Sequence, residues 1–287
     1  MVNPVRRPEI INEISAREFT VVQAPRSRWR KLWDNGGFRK GLWLLVLVLA
    51  WELYARSLGN ALLFPTFSST ALALLKSIAS GEIPRAAVTT LTLLLKGYSI
   101  GLLLAGLLTA FASATRLGAD ILETLTAMFN PLPSIALLPL ALIWFGLGDG
   151  SIIFVLIHAV LWAVALNTYS GFRSVSATLR MVGRNYGLSR IALVWHILIP
   201  GAFPSILAGL KIGWAFAWRT LIAAELVFGV SSGKGGLGWY IYQSKNQLQI
   251  PEVFAGLLTV ILFGLFVENL VFRVIEKHTV RRWGMAN

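Results

Sequence analysis

The hydrophobic and polar positions of the chain are grouped in long blocks rather than in short periods. Apolar runs of roughly twenty residues recur, and a helix of that length crosses a hydrocarbon core about 30 Å thick. Six runs meet this description, at residues 41–58, 88–114, 121–147, 151–172, 205–230 and 253–273. The pattern predicts an all-α integral membrane protein with six transmembrane helices.

The third predicted span differs from the others in its proline content. Pro131, Pro133 and Pro139 fall within nine residues of one another. Proline lacks a backbone donor and bends a helix, and in a membrane the freed carbonyl groups need partners in protein or in a water-lined cavity. The prolines therefore favour a bent helix that faces a translocation pathway over a plain anchor. We take Pro133 and Pro139 as pathway candidates.

Composition agrees with a membrane protein and excludes several kinds of chemistry. The 287 residues are 56% hydrophobic and 14% charged, whereas roughly a quarter of a soluble domain is charged. Cysteine is absent, which excludes a disulfide framework, a thiolate metal site and a cysteine nucleophile. The histidines show no metal-ligand spacing, and no Ser–His–Asp or paired-carboxylate arrangement is visible. We therefore expect no cofactor, no metal and no enzymatic activity.

The net charge of +13 is explained by the distribution of basic residues across the membrane. With the N-terminus in the cytoplasm, eighteen Lys and Arg residues fall on the cytoplasmic side and five on the external side. This bias sets the orientation and predicts that both termini are cytoplasmic. Because no nucleic-acid-binding module accompanies the charge, no nucleic-acid partner is expected.

Three regions follow from the spans and their flanks. Residues 1–40 form a cytoplasmic tail with an interfacial elbow helix, 41–276 the transmembrane domain, and 277–287 a basic cytoplasmic tail. The elbow helix is inferred from Trp29 and Trp33, which lie four positions apart among basic residues at headgroup level. An ordinary juxtamembrane anchor explains that pattern equally well.

Residues 173–204 are the only long polar interruption on the cytoplasmic side. Ser176 can cap a first short helix, and Gly187 ends it. Ser189 can cap a second helix, which we expect Pro200 to end before the fifth span begins. The segment is therefore predicted to be a compact element outside the membrane rather than a flexible loop.

The first short helix carries an exposed basic face. Arg180 and Arg184 lie four positions apart on one side of it, while Met181 is turned elsewhere. Together with Tyr186, these arginines predict a docking surface for a cytoplasmic partner.

The spacing within this segment resembles the cytoplasmic loop of the inner-membrane permease subunits of ABC importers. In that family the loop reads Glu-Ala-Ala, three residues, Gly, nine residues, then Ile-x-Leu-Pro. Here nine residues separate Gly187 from Ile197, and Ile199-Pro200 follows; Met181, Val182 and Gly183 stand in place of Glu-Ala-Ala. Other stretches are similar in the same order, namely PLPSIALLPLALIWFGLG (131–148), NTYSGFRSV (167–175), LIPGAFPSILAGLKIG (198–213), AFAWRTLIAAEL (215–226) and GGLGWYI (235–241).

The resemblance covers about residues 42–283 and points to the branch that handles nitrate, taurine and aliphatic sulfonates. It implies a permease subunit of the bacterial inner membrane that works by alternating access. Its implied partners are two copies of a cytoplasmic ATPase, a second permease copy, and a periplasmic or external substrate-binding protein. The implied solute is a small anion, with sulfonate or taurine ahead of nitrate or bicarbonate, and an uncharged precursor such as a pyrimidine is the further alternative. The implied coupling helix docks on the ATPase through Arg180, Met181, Gly183, Arg184, Tyr186, Gly187, Ile197 and Pro200.

Polar residues inside the spans are further candidates for the translocation pathway, because charges in lipid are costly unless paired or hydrated. Arg219 lies deep in the fifth span, and its guanidinium offers bidentate donors to an anion. The alternative is a structural pair, either with Glu225 or with a residue of another helix. An offset of six residues places Arg219 and Glu225 about 120° apart around a helix, so a pair between these two is strained. Arg219, Glu225 and Asn167 are taken as pathway candidates.

Residues 229–236, GVSSGKGG, resemble a phosphate-binding loop only superficially. A Walker A motif needs four residues between its first Gly and Gly-Lys, followed by Ser or Thr. Three residues intervene here, and Gly235 follows the lysine. We expect a hinge or gate loop, with ATP hydrolysis in a separate subunit. The alternative to an ABC permease is a self-sufficient channel or ion-coupled transporter.

Overall fold

The computed structural model describes residues 33–228 and 235–280. Every regular element within these ranges is helical, which confirms the all-α prediction. The helices are α1 (Gly36–Leu58), α2 (Phe67–Ala79), α3 (Glu82–Ala114), α4 (Arg116–Phe129), α5 (Leu138–Phe145), α6 (Asp149–Ser174), α7 (Ala177–Asn185), α8 (Arg190–Leu193), α9 (Ile199–Phe228), α10 (Leu237–Asn246), α11 (Ile250–Phe266) and α12 (Arg273–His278). Contacts divide the chain into two units, residues 1–50 and 51–287, and α2 to α12 lie in the second. Three regions lie outside the described residues. They are most of the predicted cytoplasmic tail and elbow helix, residues 229–234 of the predicted hinge or gate loop, and the end of the chain from residue 281 onward.

Within the described ranges, five helical stretches are long and apolar enough to cross a membrane. They are Gly36–Leu58, Glu82–Ala114, Asp149–Ser174, Arg190–Val227 and Ile250–His278. A sixth crossing is obtained if α4 and the segment Ser134–Phe145 are counted as one span. These helices agree with five of the six predicted spans.

The third predicted span is not the continuous bent helix that the sequence suggested. The axes of α4 and Ser134–Phe145 differ by 88°, and the chain between them is not helical. Pro131 and Pro133 lie in this break, where neither can donate to a helix and each disfavours helical backbone at the residue before it. Pro139 lies in the first turn of α5, where the missing donor has no consequence. Two prolines therefore separate two helices, and the third begins one.

The prediction that Pro200 ends the second short helix is wrong, because the helix continues into the fifth span. Between α8 and α9 the chain forms a wide π-type turn, Val194–Leu198, in which the Ile199 N–H donates to the Val194 carbonyl. This wider turn accommodates the donor that Pro200 lacks. The continuous helix Arg190–Val227 has 38 residues, or about 57 Å at 1.5 Å per residue. That length extends well beyond a hydrocarbon core of about 30 Å.

The central helix of the second unit is α6, which packs most extensively against α3 and α9. At the α3–α6 crossing, a Cβ added to Gly97 would lie 2.5 Å from Leu156 Cβ, and one added to Gly101 would lie 2.8 Å from Val160 Cβ. The two backbones approach this closely because glycine stands at both positions. Small residues allow such close approach in a bilayer, where packing rather than hydrophobic burial holds helices together.

Candidate functional site

The polar segment 173–204 begins and ends its first helix where the sequence predicted. The Ser176 hydroxyl accepts from the Leu179 N–H at 3.3 Å at the start of α7. Gly187 follows α7 with φ of +76°, a conformation that favours glycine. The Ser189 hydroxyl accepts from the Ala192 N–H at 3.2 Å and caps α8. These three predictions are confirmed, and they position α7 as a short rigid element.

Several large side chains of this segment are exposed within the second unit. Tyr186 is 84% exposed and Met181 56% exposed, and Arg184 is also exposed. On the adjoining turns, Ile191 is 74% exposed and Trp195 63% exposed. We call residues 173–204 the coupling segment, after the role that the resemblance implies, and these five residues its exposed face. Apolar rings and aliphatic side chains beside an arginine are typical of a surface that binds another protein.

Gly183 lies on the opposite, buried side of α7. A Cβ at this position would overlap the end of the Ile197 side chain and would lie 2.7 Å from Leu193 Cδ1. The small size of Gly183 therefore lets α7 pack on α8 and on the turn that follows it. Two residues predicted to dock, Gly183 and Ile197, are thus brought together inside the coupling segment.

The Arg180 side chain turns toward the end of α6. It is half-buried, and its Nη2 donates a hydrogen bond to the Phe172 carbonyl. Basic side chains that bond the last carbonyls of a helix satisfy acceptors left open there. A small apolar cluster of Phe172, Val175, Leu198 and Ala202 joins the same end of α6 to the start of α9. The coupling segment is therefore attached to both α6 and α9.

Glu225, a predicted pathway residue, is buried in a hydrogen-bond network that joins three helices. Its side chain is 2% exposed. Thr90 Oγ1 on α3 donates to the carboxylate at 2.9 and 3.0 Å, and the Gly238 N–H donates to Oε2 at 2.8 Å. Thr90 Oγ1 also accepts from the Leu237 N–H at 2.8 Å. The first N–H groups of α10 are thus satisfied by α3 and α9, because the cap residue Gly236 has no side chain to do so.

The glycines at the start of α10, Gly236 and Gly238, have a steric reason. A Cβ on Gly236 would overlap the Glu225 carboxylate and Thr90 Oγ1, and one on Gly238 would lie 2.5 Å from Glu225 Cβ. Sequence reasoning missed Thr90, Gly236 and Gly238 as parts of this network. The available signals were a carboxylate deep in a span and a Gly-Gly pair before a helix that lacks a capping side chain.

A large cavity of about 930 Å³ lies between the start of α3 and α10. Its lining includes charged and amide side chains together with Trp239 and Tyr240, and Tyr240 Oη lies 2.8 Å from Ser77 Oγ on α2. The polar members of the lining are Glu82, Arg85, Gln243, Ser244, Gln247, Gln249 and Glu252. By the predicted topology this cavity opens on the external side.

A small cavity of about 150 Å³ lies at the break between α4 and α5. Its lining consists of residues 130–134 and of His158, Ala159, Trp162 and Phe216. Ser134 Oγ lies 3.1 Å from His158 Nδ1. Within the described part of the chain, His158 Nε2 and Trp162 Nε1 are buried without a hydrogen-bond partner. Pro133, a predicted pathway residue, is therefore part of a cavity wall.

The remaining pathway candidates, Asn167, Pro139 and Arg219, are not among the residues that line these two cavities. Asn167 Nδ2 donates to the Ala163 carbonyl at 2.7 Å, and Asn167 packs against Gly209 of α9. Pro139 is exposed at the start of α5. Arg219 is exposed on α9, away from the network of Glu225, and takes part in none of the ion pairs formed among the described residues. Their roles in a pathway stay predictions.

Comparison with known proteins adds a family to this geometry. Residues 97–284 match the model of the family described as binding-protein-dependent transport system inner membrane component. A permease protein of Escherichia coli K12 named for aliphatic sulfonates transport, SsuC, is 31% identical over 76% of this chain and 82% of its own length. The taurine transport system permease protein TauC of the same organism is 34% identical over 52% of each chain. The nitrate import permease protein NrtB of Synechocystis sp. is 29% identical over 63% of this chain and 65% of its own.

Proposed function

The chain belongs to the family of binding-protein-dependent transport system inner membrane components, and we propose that it is the membrane-spanning subunit of an ATP-driven importer for a small anionic solute. It is a multi-pass membrane protein and a permease subunit of a transporter rather than an enzyme. In the proposed assembly it provides the pathway by alternating access, and a separate ATPase hydrolyses ATP.

The observation that carries this proposal is the construction of the coupling segment. α7 presents Met181, Arg184 and Tyr186 outward, while Gly183 and Arg180 hold it against α8 and α6. A rigid element that is exposed on one side and attached to two long helices on the other can transmit the movement of a bound partner. We propose that a cytoplasmic ATPase docks on the exposed face, with both termini of this chain on the same side of the membrane.

The remaining partners follow from the proposed mechanism. The described residues contain only five or six candidate crossings. We therefore propose that a second permease copy completes the pathway, with one ATPase on each copy. An external substrate-binding protein delivers the solute. The names of the relatives support an aliphatic sulfonate or taurine as the first solute to test, and nitrate as the next. Bicarbonate, which none of these names mentions, is proposed only as a further solute to test.

The test is uptake of radiolabelled taurine by proteoliposomes that contain this chain, its ATPase and its binding protein. We expect uptake to require ATP inside the vesicle and both partners. Uptake by this chain alone along an ion gradient would contradict the proposal and support a self-sufficient transporter. If ATP-dependent uptake is seen only with nitrate, the importer remains and the sulfonate assignment is wrong.

The docking step is tested by two leucine substitutions on α7. Gly183→Leu must push α7 away from Ile197, so we expect it to abolish both ATPase association and uptake. Asn185→Leu adds a side chain of the same size at an exposed position of the same helix and is expected to retain assembly. Full ATPase-coupled uptake by Gly183→Leu would contradict the docking arrangement.

A further inference from the structure

The small cavity lies near mid-height of the helices that form it. His158 and Trp162 are the tenth and fourteenth residues of the 26-residue helix α6, which places them about 14–20 Å from its start. Phe216 is likewise near the middle of α9. A hydrocarbon core is about 30 Å thick, so the break between α4 and α5 opens close to the centre of the membrane. Non-helical backbone at that depth is tolerated where it faces protein or lines a cavity.

The polar groups around the small cavity are rich in donors. Trp162 is 8% exposed, and its Nε1, which can only donate, has no partner among the described residues. When the Ser134 hydroxyl donates to His158 Nδ1, the ring proton resides on Nε2, which also lacks a partner. Among the residues that the structure describes, the lining contains no aspartate or glutamate. Buried donors without acceptors are costly, so the site is suited to a ligand that supplies acceptor oxygens.

A cation lies next to this cavity. Arg219 follows Phe216 by three positions on α9, and residues at that spacing lie on one face of a helix about 5–6 Å apart at Cβ. Arg219 is exposed and forms none of the ion pairs found within residues 33–228 and 235–280. In the proposed orientation it lies on the external side of Phe216. An anion that enters from outside would therefore meet a guanidinium, which can bind two oxygens at once, before it reaches the cavity.

The volume limits what can bind. The cavity measures about 150 Å³, well above the roughly 10–15 Å³ that a cavity needs to hold one water molecule. The space therefore admits a small group such as a sulfonate with one carbon attached.

We infer that the small cavity binds the oxyanion group of a small organic sulfonate during transport. Trp162 and His158 of α6 donate hydrogen bonds to the oxygens of this group. Ser134, the first residue after the break, orients His158, and Arg219 selects for negative charge. The inference rests on the proposed function for the identity of the anion, while the site itself is defined by the residues that line it.

A binding experiment tests the site without the ATPase. The full-length chain in lipid nanodiscs is titrated with methanesulfonate and, separately, with dimethyl sulfone, a neutral molecule of similar shape, and binding is followed by saturation-transfer NMR. We expect Trp162→Phe to weaken binding of both probes, by roughly tenfold to a hundredfold for the anion. Arg219→Gln is expected to weaken methanesulfonate and to leave dimethyl sulfone unchanged.

The matched control is Trp218→Phe. Trp218 is also 8% exposed, but it stacks on Phe263 and does not line the cavity. The Trp218→Phe variant should bind methanesulfonate as tightly as the unaltered chain does. If Trp162→Phe does not yield folded protein, Ser134→Ala takes its place, with a tenfold loss expected. Saturable methanesulfonate binding that neither Trp162→Phe nor Ser134→Ala weakens would overturn the inference. So would the absence of binding to the unaltered chain.

An uptake experiment separates this inference from the proposed function. In the complete importer, Trp162→Phe should reduce taurine uptake at least tenfold while ATP hydrolysis remains stimulated by the binding protein. If the unaltered complex shows no ATP-dependent uptake, but methanesulfonate binding depends on Trp162, the proposed function fails and the anion site stands. If uptake is ATP-dependent and Trp162→Phe transports normally, the function stands and the site is wrong.

Discussion

Arg180 and Arg184 lie four positions apart on α7, but their side chains have different surroundings. The Arg180 guanidinium bonds to the Phe172 carbonyl of α6, whereas Arg184 belongs to the exposed face. We expect Arg180→Gln to keep ATPase association within about twofold of the unaltered chain and to lower the solute transported per ATP, because the link from α7 to α6 is lost. Arg184→Gln should weaken association several-fold in a salt-dependent manner.

The two variants are compared by pull-down of the ATPase and by the ratio of uptake to ATP hydrolysis. Because both remove one arginine from the same short helix, each controls for the other. Equal loss of association in the two variants would show that Arg180 also faces the partner, and the division between anchoring and docking residues would then be wrong.

Glu225 is expected to act through hydrogen bonding to the start of α10. Glu225→Gln retains an oxygen that can accept from the Gly238 N–H, so a small change in stability is expected. Glu225→Ala leaves the Gly238 N–H and Thr90 without their acceptor, at a cost of about 1–3 kcal/mol. The measurement is the thermal unfolding midpoint in detergent, with Glu268→Ala as the control because Glu268 is exposed. A destabilisation by Gln as large as that by Ala would show that charge, not the acceptor, is required.

What the sequence revealed about single residues depended on how far their partners lie along the chain. Ser176, Gly187 and Ser189 act on backbone groups within a few positions, so their roles could be assigned in advance. Glu225 accepts from a residue 13 positions away, and Thr90 from one 147 positions away. No local pattern encodes such a partner, which is why the cap of α10 was found only in the structure.

Helix boundaries could be predicted where nearby residues determine them and were missed where they depend on the way the backbone bends. The positions of five spans could be predicted because apolar runs determine them. The break of the third span into two helices at 88° was not predicted, since a proline pair is compatible with a kink or with a break. The continuation of the helix through Pro200 was missed because a π-type turn, Val194–Leu198, accommodates the backbone donor that proline lacks. The amino-acid composition of that turn does not predict its wider geometry.

The crossing of α3 and α6 gives a prediction about helix packing. Gly97→Leu would place a side chain where Leu156 already lies, so the helices must separate, at a cost of about 1–3 kcal/mol. Gly106→Leu, on the same helix, meets nothing within 4 Å of its added Cβ and should change stability by less than about 0.5 kcal/mol. Thermal unfolding in detergent compares the two. Equal stability of both variants would mean that the crossing can relax without loss.

The coupling segment and the small cavity share two helices. α6 carries Trp162 and ends where Arg180 bonds, while α9 carries Phe216 and begins in the cluster with Leu198. Displacement of α7 by a docked partner would therefore act on the two helices that form one wall of the cavity. In the proposed importer, this arrangement would connect ATP-driven movement to access at mid-membrane without any contact between the ATPase and the solute.

The topology of the chain can be tested with single cysteines, because the native sequence contains none and any labelling therefore reports the introduced residue alone. Tyr186→Cys places a thiol on the exposed face, and Gln243→Cys places one in the wall of the large cavity. In intact spheroplasts, a membrane-impermeant maleimide should label Gln243→Cys and leave Tyr186→Cys unlabelled until the membrane is permeabilised. The opposite pattern would invert the proposed orientation.

Coexpression of the ATPase should then protect Tyr186→Cys but not Gln243→Cys after permeabilisation, because only the former lies on the proposed docking surface.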